Sequence, residues 1–152
     1  MIPEFIHDSS CPFGILPPGI HTASLDEMEE RFCWNNHRSR LFDGLRAAAA
    51  NLQQAGCTRL YIDGSFVSDK DYPSDFDGCW SPIGVSGNLL DPVLLDFDNG
   101  RAAQKKKYGG ELFISSSRAV RDSDIVFFDF FQRDKHSGAK KGLIEIQLDQ
   151  DR

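Results

Sequence analysis

The segment "YIDGSFVSDKDYPSDFDGCW", from Tyr61 to Trp80, places five aspartates between two runs of strand-forming side chains. Aromatic and β-branched residues near both ends favour β-strands. The residues between them are rich in aspartate, serine and proline, which are typical of a loop. The segment therefore predicts two strands that are joined by a loop dense in negative charge.

The length and composition of the chain indicate one domain. The chain has 152 residues, of which 40% are hydrophobic, and a chain of this size can bury a core without disulfides or metals. We expect a single domain over residues 1–152. Residues 1–23 should form an extended segment without regular structure, because "FGILPPGIHTAS" contains paired prolines and glycines.

Charge and cysteine content exclude several classes of protein. The formal net charge of −6 argues against binding nucleic acid through bulk positive charge. The four cysteines form no CxxC pair, so neither a zinc site nor a dense disulfide framework is indicated. No apolar run is long enough to span a bilayer, and the first residues lack the basic and apolar pattern of a signal peptide. We therefore expect a cytoplasmic protein with no membrane partner.

The rest of the pattern predicts a mixed α/β (α+β) fold. Ser24 and Glu27 form a capping box that begins a short helix. A longer helix begins at Asn35 or Asn36 and ends at Gly56, after which the pattern changes to strands and the predicted order is α–α–β–β–α–β–β. The later elements are strands in "TRLYIDGSFV", "DFDGCW", "DIVFFDFFQ" and "GLIEIQL" and a helix in "NGRAAQKKKYGGEL", while "NLLDPVLLDFD" fits either a helix start or an edge strand.

Asp75 and Asp77 form a carboxylate pair on one side of the second strand, because residues two apart in a strand point the same way. Two unpaired carboxylates at this spacing repel each other unless a cation lies between them. Mg²⁺ prefers oxygen ligands, and two such ions about 3.5–4 Å apart can activate an attacking oxygen and a leaving phosphate. Gly64 and Ser65 end the preceding strand, where a phosphate can approach the backbone and a hydroxyl. The arrangement predicts a two-metal magnesium site beside a phosphate site.

These residues allow two other interpretations. The Asp-Gly dipeptides at 63–64 and 77–78 are common turn sequences, and each taken alone is better explained as a hairpin turn. An EF-hand loop also alternates aspartates before a glycine. With Gly78 at its sixth position, however, Pro73 would be first and Gly84 twelfth, and neither residue supplies the required ligand. The EF-hand is therefore excluded.

The spacing of the two motifs resembles a known signature. Gly64-Ser65, nine intervening residues and then Asp75-Phe76-Asp77 resemble the Gly-Ser and Asp-x-Asp signature of the polymerase-beta-like nucleotidyltransferases. The surrounding "YIDGSFVSDKDYPSDFD" is similar to the minimal nucleotidyltransferases. "LPPGIH", "RAAQKKKYGGELF" and "FFQRD…KGLIEIQL" resemble an uncharacterised bacterial family of nucleotidyltransferase-like proteins, so the resemblance covers most of the chain.

The resemblance implies a nucleotidyltransferase-type mixed sheet flanked by helices on one side, magnesium as cofactor, and frequent membership in a toxin–antitoxin or phage-defence gene pair. It also implies a third carboxylate on a strand beside Asp-x-Asp. We expect Asp129 in "DIVFFDFFQ" to supply it, because an unpaired aspartate among apolar strand residues would otherwise be costly. Asp96 is the second choice and could instead cap the following helix. The predicted catalytic residues and metal ligands are thus Asp75, Asp77 and Asp129.

Several polar residues are predicted to bind a nucleoside triphosphate. Gly64 and Ser65 would contact its phosphates, and Lys70 could reach them from the loop. Gln104 and Lys105 could present one helix face to its phosphates or base. A solvated position is the alternative for the lysines. The histidines show no metal-ligand spacing, and no role is assigned to them: His7, His21, His37 and His136.

Two functions fit the sequence. The first is a nucleotidyltransferase that moves a nucleoside monophosphate from a nucleoside triphosphate to a hydroxyl of a protein or an RNA and releases pyrophosphate. The second is a nucleotidyltransferase-like antitoxin or accessory module that neutralises a partner protein without turnover. The intact motifs favour the enzyme, because a scaffold has no need of a costly carboxylate cluster. The small size of the chain favours a protein partner, toxin or antitoxin, encoded nearby.

Overall fold

A computed structural model describes residues 1–135 and 137–149, and it shows a five-stranded sheet with four helices among those residues. His136 lies outside the described residues. Two short 3₁₀ turns, Ser65–Val67 and Pro92–Leu95, are also present. The elements in chain order are β1 (Gly19–Thr22), α1 (Leu25–Phe32), α2 (Asn36–Gln54), β2 (Arg59–Asp63), β3 (Phe76–Trp80), α3 (Asp98–Tyr108), β4 (Gly110–Ile114), α4 (Phe127–Phe130) and β5 (Gly142–Gln147).

The strands lie in the order β1-β5-β2-β3-β4. β1 is parallel to β5, and β3 is parallel to β4, whereas β2 is antiparallel to both of its neighbours. The sheet is therefore mixed, which confirms the predicted α/β class. Asp63 lies opposite Asp77, and Asp77 lies beside Glu111. Because partners in register share a face of the sheet, three acidic residues from three strands meet on one face at one end.

The main core lies between the three longer helices and the opposite face of the sheet. The Ser24–Glu27 capping box begins α1 as predicted, and Asn35 caps α2. Gly44 is required in α2, because a Cβ there would lie 1.7 Å from the carbonyl oxygen of Tyr108 at the end of α3. The largest buried side chains of this core are Leu16, Met28, Phe32, Phe42, Leu45, Leu52, Leu60, Ile62, Phe66, Phe76 and Trp80.

The segment after β4 covers part of the other face. Phe127, Phe128 and Phe131 pack there against Tyr61 and Phe113. α4 belongs to this segment, so the longer helices lie on one side of the sheet, as predicted, and one helix of four residues lies on the other. None of the helices among the described residues combines the length and the apolar composition that crossing a bilayer requires.

Two strands were not predicted. Residues 19–22, expected to be extended without regular structure, form β1 because β5 offers an edge with which they pair. "GGEL" was predicted to continue a helix, but α3 ends at Tyr108, the following Gly109 has a left-handed φ of 85°, and β4 begins at Gly110. A glycine in this conformation is a common helix stop.

The predicted strand in "DIVFFDFFQ" is wrong. Phe127–Phe130 form a short helix, and the neighbouring aromatic rings pack on one another, with the Phe113 and Phe127 centroids 4.1 Å apart. A short apolar run fits a strand or another buried segment equally well. The place beside β3 that this run was expected to occupy is taken by β4.

Candidate active site

A pocket of about 450 Å³ lies where the acidic residues meet. Five of the predicted site residues line it. The remaining walls come from the N-terminal segment, including Phe13, and from the segment between α4 and β5, including Arg133 and Lys135. The predicted residues in the lining are Gly64, Ser65, Lys70, Asp75 and Asp77.

Asp75, Asp77 and Glu111 form a group that we call the acidic cluster. One carboxylate oxygen from each lies within 4.8 Å of the others. Asp75 directly precedes β3, Asp77 is its second residue, and Glu111 is in register with Asp77 on the parallel strand β4. The predicted pairing of Asp75 and Asp77 on one side of the strand is thus present, and β4 supplies the third carboxylate.

Burial and like charge raise the pKa values of two of these carboxyls. The pKa of Asp77 is raised to about 7, first by burial and then by the carboxylates of Asp75 and Glu111. Burial and Glu111 also raise the pKa of Asp75. Neither aspartate forms a hydrogen bond or an ion pair through its carboxylate with another described residue. Three oxygen donors so placed fit a hard divalent cation such as Mg²⁺.

Glu111 differs from the two aspartates because it has positive partners. Its side chain is 13% exposed, and its Oε1 lies 3.0 Å from Lys105 Nζ and 3.3 Å from an Arg101 guanidinium nitrogen. Arg101 has a φ of 63°, a left-handed conformation that is costly for a residue with a side chain. The Lys105 ammonium lies beside the acidic cluster and neutralises part of its negative charge, but Lys105 does not line the pocket.

Gly64 is required by the position of Asp77. Its φ of 81° is left-handed, and a Cβ at this residue would lie 2.5 Å from Asp77 Oδ2. A side chain would thus both strain the backbone and displace a carboxylate of the acidic cluster. Ser65 follows and begins the short 3₁₀ turn that leads into the loop.

Arg38 of α2 fixes the loop that follows Gly64. The three nitrogens of its buried guanidinium donate to five carbonyls, one of Phe32 and the others of residues 65–70. The ring of Trp34 stacks on it, with the centroid 3.6 Å from Cζ. Burial lowers the pKa of Arg38 to about 10, which leaves the residue charged near neutral pH. Arg38 therefore holds this wall of the pocket in one conformation.

The N-terminal segment is attached to the same loop. Gly14 N donates to Asp69 Oδ1 at 2.7 Å, and Asp69 N donates to the carbonyl oxygen of Gly14 at 3.1 Å. The Lys70 ammonium lies 5.3 Å from the centre of the Phe13 ring. Lys70 thus has an aromatic neighbour at the pocket, and the segment before β1 forms a wall and is not a loose tail.

A second ion pair lines the pocket on the far side of β2. Lys141 Nζ lies 3.0 Å from Asp63 Oδ1, and both side chains are largely buried. Burial raises the pKa of Asp63 to about 6, although the charge of Lys141 opposes the rise.

Besides Lys105, three predicted residues lie outside the pocket. Asp129 is exposed on α4 and is not brought into the acidic cluster. Asp96 lies just before α3 and accepts a hydrogen bond from Asp98 N at 3.1 Å, but the N-cap position is Phe97, so Asp96 neither joins the acidic cluster nor caps the helix. Gln104, predicted to bind nucleotide, is 1% exposed and is hydrogen-bonded to both the N–H and the carbonyl of Leu112, so it joins α3 to β4 instead.

Sequence reasoning missed four residues of the site. Glu111 could have been found from Gly109-Gly110, a helix stop followed by the strand-like "ELFI". In the sequence, Asp63 is part of an Asp-Gly dipeptide that is typical of a turn. Arg38 and Lys141 carry no local signal, because their partners are distant in sequence.

Comparison with known proteins gives one result. No curated protein and no solved structure matches the chain. A family model described as a family of unknown function, DUF6932, matches residues 9–147, which is most of the chain. The protein therefore belongs to the DUF6932 family.

Proposed function

We propose that this protein is a magnesium-dependent nucleotidyltransferase, which moves a nucleoside monophosphate from a nucleoside triphosphate to a hydroxyl of a protein or an RNA. The observation that carries the proposal is the acidic cluster beside Gly64 and Ser65 at one pocket. Phosphoryl-transfer chemistry needs carboxylates that hold divalent cations next to a backbone that a phosphate can approach.

The acidic cluster would hold magnesium through Asp75, Asp77 and Glu111. When bound, the ion would stabilise negative charge that develops on the transferred phosphate. The donor set supports this assignment because burial and mutual repulsion disfavour the ionised form of Asp77, and a divalent cation offsets both effects.

Other residues prepare the pocket for a polyphosphate. Gly64 leaves room beside Asp77, and the Ser65 hydroxyl can donate one hydrogen bond to a phosphate oxygen. Lys70, Arg133 and Lys135 bring positive charge to the lining, which attracts a polyanion despite the negative net charge of the chain.

A binding module without turnover is the second candidate, and one observation favours it. Arg101 and Lys105 already pair with Glu111, so cations of the chain itself neutralise part of the acidic cluster. A cluster completed in this way would need no metal. Under either candidate, the cytoplasmic location and a toxin or antitoxin partner encoded by a neighbouring gene stay predictions.

The test uses nucleoside triphosphates labelled on the α-phosphate, Mg²⁺, and extracted cellular protein and RNA as acceptors. We expect label to appear on a macromolecule with the wild type and with Asp129→Asn, an exposed matched control. It should be absent with the double variant Asp75→Asn/Asp77→Asn. Transfer by the double variant at the wild-type rate would overturn the enzyme proposal. Calorimetry that shows nucleotide binding without Mg²⁺ binding would favour the binding module.

A further inference from the structure

The ion pair between Asp63 and Lys141 is not explained by stability. Their side chains are 6% and 13% exposed, and Nζ lies 3.0 Å from Oδ1. Burying two charges costs desolvation free energy, and an apolar pair of similar volume is often as stable or more stable. Both residues also line the pocket. The position of this costly pair at the pocket suggests that the positive charge of Lys141 binds a ligand.

The sheet topology places Lys141 and the acidic cluster on opposite sides of Gly64. Gly64 directly follows β2. β3, which carries Asp77, is the neighbour of β2 on one side, and β5, which begins directly after Lys141, is its neighbour on the other. A chain of phosphates over Gly64 would therefore have carboxylates at one end and an ammonium at the other.

Two further cations of the lining accompany Lys141 in the chain, and the charge of one of them, Lys135, also reaches both aspartates of the acidic cluster. Arg133 and Lys135 come from the same segment between α4 and β5. The Lys141 ammonium carries three N–H donors. Its contact with the single oxygen Asp63 Oδ1 does not use all of them. Lys141 can therefore keep Asp63 as its partner and still donate to a phosphate oxygen.

We propose that Lys141 binds the phosphate groups of the substrate that lie farthest from the metal ligands. The identity of that substrate as a nucleoside triphosphate rests on the proposed function, whereas the Lys141 site itself requires only a polyphosphate. Asp63, which directly precedes Gly64, holds the Lys141 ammonium on the β5 side of β2, opposite the β3 side that carries Asp77.

The experiment measures binding of inorganic tripolyphosphate and, separately, of ATP by calorimetry in the presence of Mg²⁺. Lys141→Met should weaken both affinities at least tenfold. Lys140→Met is the matched control, because Lys140 is the exposed neighbour of Lys141 and this substitution also removes one positive charge. The affinities of Lys140→Met for tripolyphosphate and ATP should stay within twofold of those of the wild type.

A second variant separates binding from folding, because Lys141→Met leaves Asp63 buried without a partner. Asp63→Asn/Lys141→Met removes both charges, so its thermal midpoint should stay near that of the wild type while tripolyphosphate binding remains weakened tenfold. Wild-type affinity in this double variant would overturn the proposal, and so would a wild type that does not bind tripolyphosphate.

The two proposals fail in different ways. If the wild type binds tripolyphosphate through Lys141 but transfers no nucleotide, the proposed function fails and the Lys141 site stands. If Lys141→Met transfers nucleotide with an unchanged KM, the Lys141 site is wrong and the proposed function stands.

Discussion

The loop of residues 65–70 and the acidic cluster lie at the same pocket, and both involve charge removed from water. In the loop, the guanidinium of Arg38 donates to four backbone carbonyls, so dipoles of the chain itself match its charge. In the acidic cluster, Asp77 is surrounded by carboxylates, and no described residue donates a hydrogen bond to it.

Within one pocket, the buried charge of Arg38 thus stabilises the fold, whereas the buried charge of Asp77 has no hydrogen-bond donor among the described residues to offset it. A buried charge that is fully hydrogen-bonded by the chain fixes the conformation around it. Buried like charges without a partner are unfavourable until a cation joins them. The loop is therefore completed by folding, whereas we expect the acidic cluster to be completed by a ligand.

The largest effect is expected for Arg38→Met. Loss of the guanidinium leaves several buried carbonyls without a donor, and each unsatisfied buried group costs about 1–3 kcal/mol. We expect the free energy of unfolding to fall by about 3–5 kcal/mol, because part of the loop can turn toward water. Chemical denaturation measures this change directly.

Arg40→Met is the control for that measurement. Arg40 lies on the same helix but is exposed, so its replacement should change the free energy of unfolding by no more than about 0.5 kcal/mol. Equal stabilities of the two variants would show that the loop does not depend on Arg38.

A smaller effect of opposite sign is expected for Asp77→Asn in metal-free protein. The folded-state pKa of Asp77 is about 7, above its ordinary value of 3.8, so the folded state binds more protons between these values. The contribution of Asp77 to the free energy of unfolding is therefore most favourable below about pH 4 and is lost as the pH rises to about 7. Asn does not titrate, so above about pH 7 the variant should be more stable by roughly 2–4 kcal/mol, since one pKa unit corresponds to about 1.4 kcal/mol.

The measurement compares unfolding of the wild type and Asp77→Asn at several pH values with a chelator present. The two stability curves should diverge between about pH 4 and 7. Added Mg²⁺ should then stabilise the wild type and leave the variant nearly unchanged. Parallel curves would mean that the pKa of Asp77 is not raised in the folded protein, and that its buried charge is no less favourable than that of Arg38.

The parts of the fold that sequence predicts are those with local signals. α1 and α2 carry caps and an apolar stripe, and β2, β3 and β5 carry strand-forming runs bounded by turn residues. β1 has no such signal, because its pairing depends on β5, more than a hundred residues later. The run of phenylalanines around α4 fits more than one structure, and only the presence of β4 beside β3 excludes the predicted strand.

The site divides in the same way. Gly64, Ser65, Asp75 and Asp77 were predicted because they form one compact motif, and the structure brings them to one pocket. Glu111 was missed because its strand was assigned to a helix. Arg38 and Lys141 could not be predicted, because a buried cation is recognised only from carbonyls or carboxylates that the fold brings to it.

The smallest expected effect concerns the identity of the third ligand. Glu111 offers an oxygen within 4.8 Å of the oxygens of Asp75 and Asp77, whereas Asp129 is exposed on α4. Glu111→Gln should therefore weaken Mg²⁺ binding about tenfold, equivalent to about 1.4 kcal/mol, and Asp129→Asn should leave it within twofold. Titration of the metal-free protein with Mg²⁺ in a calorimeter gives both values.

Stability decides how a weaker Mg²⁺ affinity in Glu111→Gln is interpreted. The substitution removes the ion pairs with Arg101 and Lys105, but both cations are about a third or more exposed, and such pairs contribute no more than about 1 kcal/mol each. A tenfold loss of affinity with a nearly unchanged free energy of unfolding would mean that a ligand completes the acidic cluster. If Asp129→Asn weakens Mg²⁺ binding as much as Glu111→Gln does, then Glu111 is not the third ligand, and its pairing with Arg101 and Lys105 is its whole role.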